Sequence, residues 1–186
     1  MQELYGWYKD NQKWDTAIEI LKQNLSVDAH DGFARKELVE CYKGKYASHS
    51  RLEDYIKNSN LTSSFRNVFE AINDFEKHIA FDKDHYVFHR DWKVGKILSL
   101  KNDTLKVYFG KKNGVHEMSL KMAVTALKPL SQDHIWVLKA NTKPEELKEK
   151  IKEDKAWALK TIIQSFDNSC DMKRIKAELV PGILSA

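Results

Sequence analysis

Two histidines four residues apart, His85 and His89, are the first place to look for chemistry in this chain. On a helix that spacing puts both imidazoles on one face, ready to chelate a metal ion. The residues between them, Tyr86, Val87 and Phe88, favour a strand, where the same spacing sets the two rings about 13 Å apart. No shared metal ion is expected. Cys41 lies on an apolar helix face and reads as a small buried residue, and Cys170 has no base beside it in sequence. The carboxylates of "LEDY" and "KPEELKEK" read as solvated helix faces. Glu153 and Asp154 adjoin Lys152 and Lys155, which is surface pairing. The chain has no Gly-rich phosphate loop, no nucleophile elbow and no zinc-ligand spacing. These residue types point away from an enzyme, with no catalytic residue, metal or cofactor to assign, and toward binding.

The stretch that stands out instead is basic and aromatic, "HYVFHRDWKVGKILSLKNDTLKVYF" from His85 to Phe109. Tyr86, His89, Arg90, Trp92, Lys93 and Lys96 make a candidate contact surface. Trp92 would act as its aromatic anchor, or alternatively as a residue closing a core, and Arg90, Lys93 and Lys96 as a rim that steers a partner. Lys106, Tyr108, Lys111 and Lys112 make a second candidate surface, of the kind by which small barrels hold nucleic-acid strands. DNA is therefore a second candidate partner. A third arrangement, an aromatic cage for a modified lysine or arginine, would need Phe88, Trp92 and Tyr108 to converge.

The elements that must position these residues change in texture along the chain. "WDTAIEILKQNL" places Trp14, Ala17, Ile18, Leu21 and Leu25 on one helical stripe, and "FARKELVECYKGKY" does the same with Phe33, Leu38, Val39 and Tyr42. Leu4 and Leu38 are 34 residues apart, as are Tyr8 and Tyr42, which is the period of a tetratricopeptide repeat. In that register Gly6, Tyr8 and Ala17 fall at a small packing position, an aromatic plug and a close contact. Repeats of this kind need stacked neighbours, so Met1 reads as a cut into a longer array. A further helix is predicted over residues 63–81, with Phe65, Val68, Phe69, Ile72, Phe75 and Ile79 facing a core.

Short alternating segments follow: "HYVFH", "VGKILSL", "TLKVYF" and "VHEMS". Asn102-Asp103 and Gly110 to Gly114 supply the turns. Leu105, Val107 and Phe109 share one face of their strand, and Lys106 and Tyr108 the other. Strands this short suggest a small barrel. "LKMAVTALKPL" predicts a helix stopped by Pro129. Asn141 or Thr142 is placed to cap the next helix, whose first turn holds Pro144, Glu145 and Glu146. Two more short amphipathic helices follow, around a turn at residues 167–169, and Pro181-Gly182 ends the series. Apolar residues of this tail outnumber the elements available to bury them, so a continuation past Ala186 is expected. The fold class is α+β, in three parts: a helical, tetratricopeptide-like part over 1–81, a small β-barrel over 82–131 and a helical, truncated part over 132–186.

Composition sets the bounds. The chain has 186 residues, 42% hydrophobic and 31% charged, with 31 Lys and Arg against 27 Asp and Glu and a net charge of +4. That balance is mild and neither requires nor excludes a nucleic-acid partner. No apolar run is long enough to span a bilayer, and "MQELYGWYKDNQKW" is too polar for a signal peptide. Two distant cysteines suit a reducing compartment. The expected location is the cytoplasm, away from any membrane.

"HYVFHRDWKVGKILSL" resembles the start of the polymerase-interacting module of the CarD and transcription-repair coupling factor family, a Tudor-like (SH3-like) barrel. Tyr86, Val87, His89, Val94, Gly95, Lys96 and Ile97 match its "YVVH…HGVGRI" pattern, and Trp92 and Lys93 stand where His-Gly is usual. Gly95 permits close backbone approach or a positive φ. Over most of the chain, "ARKELVECYKGKYASHSRLEDYI", "WKVGKI", "HEMSLKMAVTALKPL", "DHIWVLKA" and "MKRIKAELVPGILS" resemble the long amino-terminal extension of spirochaetal GreA-type transcription elongation factors; a related form occurs in chlamydiae. GreA proteins stimulate transcript cleavage with acidic residues at a coiled-coil tip, and no such coiled coil is present here. The resemblance implies a non-catalytic region that docks on RNA polymerase, through the β subunit, by an exposed strand edge. The helical repeats would brace the barrel or bind a second protein.

Overall fold

The computed structural model describes residues 2–63 and 65–179. The chain divides into two compact units, Met1–Asp82 and Lys83–Ala186. The described residues contain helices α1 to α11 and strands β1 to β5, an α+β fold.

The first unit is helical: α1 (Gln2–Asp10), α2 (Trp14–Val27), α3 (Gly32–Lys45), α4 (Leu52–Ser59) and α5 (Val68–Ile79). The apolar stripes read in sequence form its core. Ala17, Ile18, Leu21 and Leu25 of α2 are buried, as are Leu38, Val39, Cys41 and Tyr42 of α3 and Val68, Ile72, Phe75 and Ile79 of α5. The Tyr42 ring meets that of Phe75 at 4.5 Å, and its hydroxyl donates to Glu76, which also takes Lys22 at 2.6 Å. At Gly44 α3 lies close against α2, since a Cβ there would lie 2.6 Å from the Trp14 ring. Arg35 is buried, and among the described residues no carboxylate pairs with it. Its guanidinium donates to the carbonyls of Ala29, Ser63 and Arg66, and so ties two loops to α3.

Three expectations change in this unit. The helix predicted over 63–81 begins only at Val68, because the Asn67 side chain accepts from the backbone N–H groups of Phe69 and Glu70 and caps it there. Phe65 is left outside, fully exposed, and Phe69 is also exposed. Phe33 points outward, because the Asp31 cap starts α3 beside it and puts it in the open first turn. Gly6 has open space around its Cβ position, so packing does not demand a small residue there. The residues 34 apart differ in surroundings: Leu38 and Tyr42 are buried, while Leu4 is exposed and Tyr8 half-buried.

The second unit opens with a five-stranded antiparallel sheet of order β4-β3-β2-β1-β5. The strands are β1 (Tyr86–His89), β2 (Lys93–Lys101), β3 (Thr104–Tyr108), β4 (Val115–Ser119) and β5 (Leu127–Leu130). Alternation decides the faces. Val87, Ile97, Leu105, Val107 and Met118 are buried on one side, with Phe109 and with Leu120 and Ala123 of α7 (Leu120–Ala126). Asn102 and Asp103 both take positive φ, 47° and 57°, which is the geometry of a tight hairpin turn. The segment from Gly110 to Gly114 is a turn of helix, α6 (Gly110–Asn113), bounded by glycines of positive φ.

Pro129 does not end a helix here. It lies within β5, which hydrogen-bonds only to β1, and an edge strand tolerates the missing N–H. After the sheet come α8 (Ile135–Asn141), α9 (Pro144–Glu153), α10 (Lys155–Ser165) and α11 (Met172–Leu179). The cap of α9 is Lys143, with no side-chain hydrogen bond, rather than Asn141 or Thr142. Asn141 belongs to α8 and Thr142 closes it, so Pro144 alone sets the start. Ile135, Ile162 and Ile175 form one small core, and Leu147, Ile151 and Ala158 another. Pro181-Gly182 lies outside the described residues.

Candidate functional site

The β1–β2 turn carries four of the six predicted contact residues. His89 pairs with Lys93 across it. The Nδ1 atom of His89 accepts from the backbone N–H groups of Asp91 and Trp92, both at 3.2 Å, which holds the turn closed. Lys93 ends the turn in the left-handed region, φ 65°, where an unbranched side chain is tolerated and glycine is easier. Its Nζ donates to the Arg90 carbonyl at 2.8 Å. Gly95 has no positive φ. It serves close approach, since a Cβ there would lie 2.5 Å from the Phe109 ring.

Trp92 is half-buried and stacked on two imidazoles, His89 at 4.0 Å and His116 at 3.7 Å, with interplanar angles of 20° and 21°. Distances this short leave no room for both rings on one face, so the indole is held between them. Phe109 lies against all three rings. The side chain of Asn113 in α6 donates to the Trp92 carbonyl at 3.2 Å. The turn after β1 and the turn after β3 are thereby fastened together at one end of the sheet. His116 and Asn113 were not among the predicted site residues. The available signal was an imidazole in "VHEMS" at the alternation parity of Met118, where an apolar side chain is usual.

The other predicted residues separate. Tyr86 and Lys96 face each other at the far end of β1, next to Tyr108 on β3. Lys96 pairs with Asp84 at 2.7 Å, and that hydrogen bond raises its pKa. Lys106 is bound across the sheet to Glu117 at 2.6 Å. Lys111 and Lys112 are exposed on α6, at the Trp92 end. Two of the three aromatics of the cage arrangement have other neighbours. Phe88 packs on Trp136 at 4.5 Å and Trp92 lies between the imidazoles.

Cys41 is buried, which raises its pKa and disfavours a reactive thiolate. Among the described residues no group of three or more His, Cys, Asp or Glu is placed to hold a metal ion. Among the same residues no helix is long and apolar enough to cross a membrane.

The tail, residues 136–186, matches the family described as the GRAD helix-turn-helix domain. Over 185 residues, 100% of this chain, the sequence is 54% identical to a "GreA-associated domains protein" of Treponema pallidum (strain Nichols). Over 184 residues, 99% of this chain, it is 37% identical to "Transcription elongation factor GreA" of Borreliella burgdorferi. The chain spans 28% of the first relative and 20% of the second. No solved structure matches it significantly. The chain is thus related, end to end, to part of much longer GreA-named proteins.

Proposed function

We propose that this chain is a non-catalytic region of a transcription elongation factor, and that it docks on the β subunit of RNA polymerase through the sheet of its second unit. The observation that carries the reading is similarity along the whole chain to two GreA-named proteins. The sheet supports it. Five short antiparallel strands in the order β4-β3-β2-β1-β5, with a short helix before the last, are the elements that a small SH3-like or Tudor-like barrel would need. Of its two edges, β5 is weakened by Pro129, so β4 is the edge with a full set of backbone donors for a partner strand. The helices of the first unit, tetratricopeptide-like in spacing, act as a scaffold and a seat for a second protein.

The test is retention of purified polymerase, and of isolated β-subunit fragments, by the full chain across a salt series. Retention should map to a β fragment. It should fall when Trp92→Ala is combined with Lys93→Glu, and also with the surface change Arg90→Glu alone. Undiminished retention by folded variants would remove the docking assignment.

A further inference from the structure

We infer that the Trp92 end of the sheet is a docking site for the phosphate backbone of duplex nucleic acid. The inference is independent of the polymerase reading, because it requires no protein partner. It starts from an uneven charge. Residues 83–130 hold ten Lys and Arg against four Asp and Glu, a net of +6 in a chain whose total is +4. Lys96 is bound to Asp84, Lys106 to Glu117 and Lys128 to Asp167. Arg90, Lys93, Lys111 and Lys112 have no ion-pair partner among the described residues.

These four free cations sit on the two turns that Asn113 and the Trp92–His116 stack hold together. Asp91 is the one carboxylate in the two turns, residues 90–93 and 110–114. Arg90, Lys93, Lys111 and Lys112 are all exposed. A surface of this kind attracts a polyanion.

The rest of the geometry selects the polyanion. A protein contact needs an apolar centre, and the two turns expose no apolar side chain; their Trp92 is half-buried, so to a protein docked on the β4 edge these cations offer a rim and not a centre. A single strand would gain by stacking bases on an aromatic face. Both faces of the Trp92 indole are already covered by His89 and His116. A methylated lysine would meet the same covered faces and four like charges. What remains is contact with a backbone whose bases stay paired, in which each cation displaces a condensed counterion without reading sequence.

The experiment is fluorescence anisotropy of a labelled mixed-sequence DNA duplex titrated with the full chain at rising salt, with no polymerase present. Four phosphate contacts give a slope of log K against log salt of about −3.6, and a loss of roughly a hundredfold in affinity between about 50 and about 200 mM salt. Lys111→Glu with Lys112→Glu should reduce the slope by about 2, and Arg90→Glu with Lys93→Glu should do the same. Lys106→Ala should leave it unchanged.

Absence of binding at the lowest salt would overturn the inference. So would binding that both double variants retain, since the contact would then lie elsewhere. Tighter binding of the single strand, or equal competition by polyglutamate at the same charge concentration, would replace the duplex with a strand or an acidic protein. Loss of duplex binding in the Lys111→Glu, Lys112→Glu variant with polymerase retention intact would leave the docking reading standing. Duplex binding without any polymerase retention would leave the nucleic-acid site standing alone.

Discussion

The two units of this chain solve the problem of holding together in different ways, and their charges diverge with them. The first, Met1–Asp82, carries 11 Lys and Arg against 14 Asp and Glu, a net of −3. The second, Lys83–Ala186, carries 20 against 13, a net of +7. In the helical unit the charged side chains are structural braces: Lys22 and Tyr42 on Glu76, Lys9 and Tyr5 on Glu37, and Arg35 on loop carbonyls. In the sheet stretch the closure at one end is made by rings and one amide, His89, Trp92, His116 and Asn113, and nearby cations are left over. Surplus charge costs self-repulsion in the folded state. A region that keeps such a surplus without pairing it is the better candidate for binding than a region that consumes its charges internally.

The sharpest way to break this comparison is to damage one core and watch the other. Phe75→Ala removes the ring that packs on Tyr42 and should cost about 3–5 kcal/mol. Urea unfolding should show a transition that moves for the first unit and one that stays for the second. A single transition that moves as a whole would mean the units do not fold independently.

Gly95→Ala asks the same question of the sheet. The added methyl meets the Phe109 ring at 2.5 Å and should cost about 1–3 kcal/mol. The indole stack should loosen with it, read as a shift in tryptophan emission. An unchanged midpoint would show that Phe109 can swing aside freely.

Acid should find the second unit through His134. Burial, and then the Lys128 charge, lower the pKa of this imidazole, and its Nδ1 accepts from Trp136 N–H at the start of α8. The unfolded chain therefore binds the proton first. The stability contributed by neutral His134 is complete above about pH 6.5 and is lost as pH falls through the lowered folded value. His134→Asn keeps a capping acceptor and should flatten the midpoint of this transition between pH 7.5 and 5.5. An identical pH response in that variant would assign the loss to other groups.

The smallest effect expected is from Lys106→Ala. Its pair with Glu117 is half-exposed on both sides, and removal should change stability by no more than about 0.5 kcal/mol. A larger loss would mean that the sheet, like the helical unit, spends its charges on holding itself together.

Much of the fold was legible in the residues. The stripes of α2 and α3 were readable because helical spacing puts Ala17, Ile18, Leu21 and Leu25 on one side whatever they pack against. Leu105 and Val107 were assigned to the buried face by alternation alone. Phe65 and Phe33 were misread because their spacing fits a helix, while a cap one or two residues away decides where the helix starts. β5 was missed because "LKPL" carries a proline, and only its place at the edge of the sheet makes that harmless.

The amino-acid sequence by itself determined the α+β character, the apolar faces of most elements and the surplus of positive charge between Lys83 and Leu130. Tertiary structure alone decided which of those charges remain free. Ion pairing depends on strand register, which sets Lys106 opposite Glu117 and leaves Lys111 and Lys112 on a turn. It also decided that Trp92 would lie between two histidines 27 residues apart in sequence, His89 and His116. Distances along a chain do not encode that proximity; the pairing of β1, β2, β3 and β4 creates it.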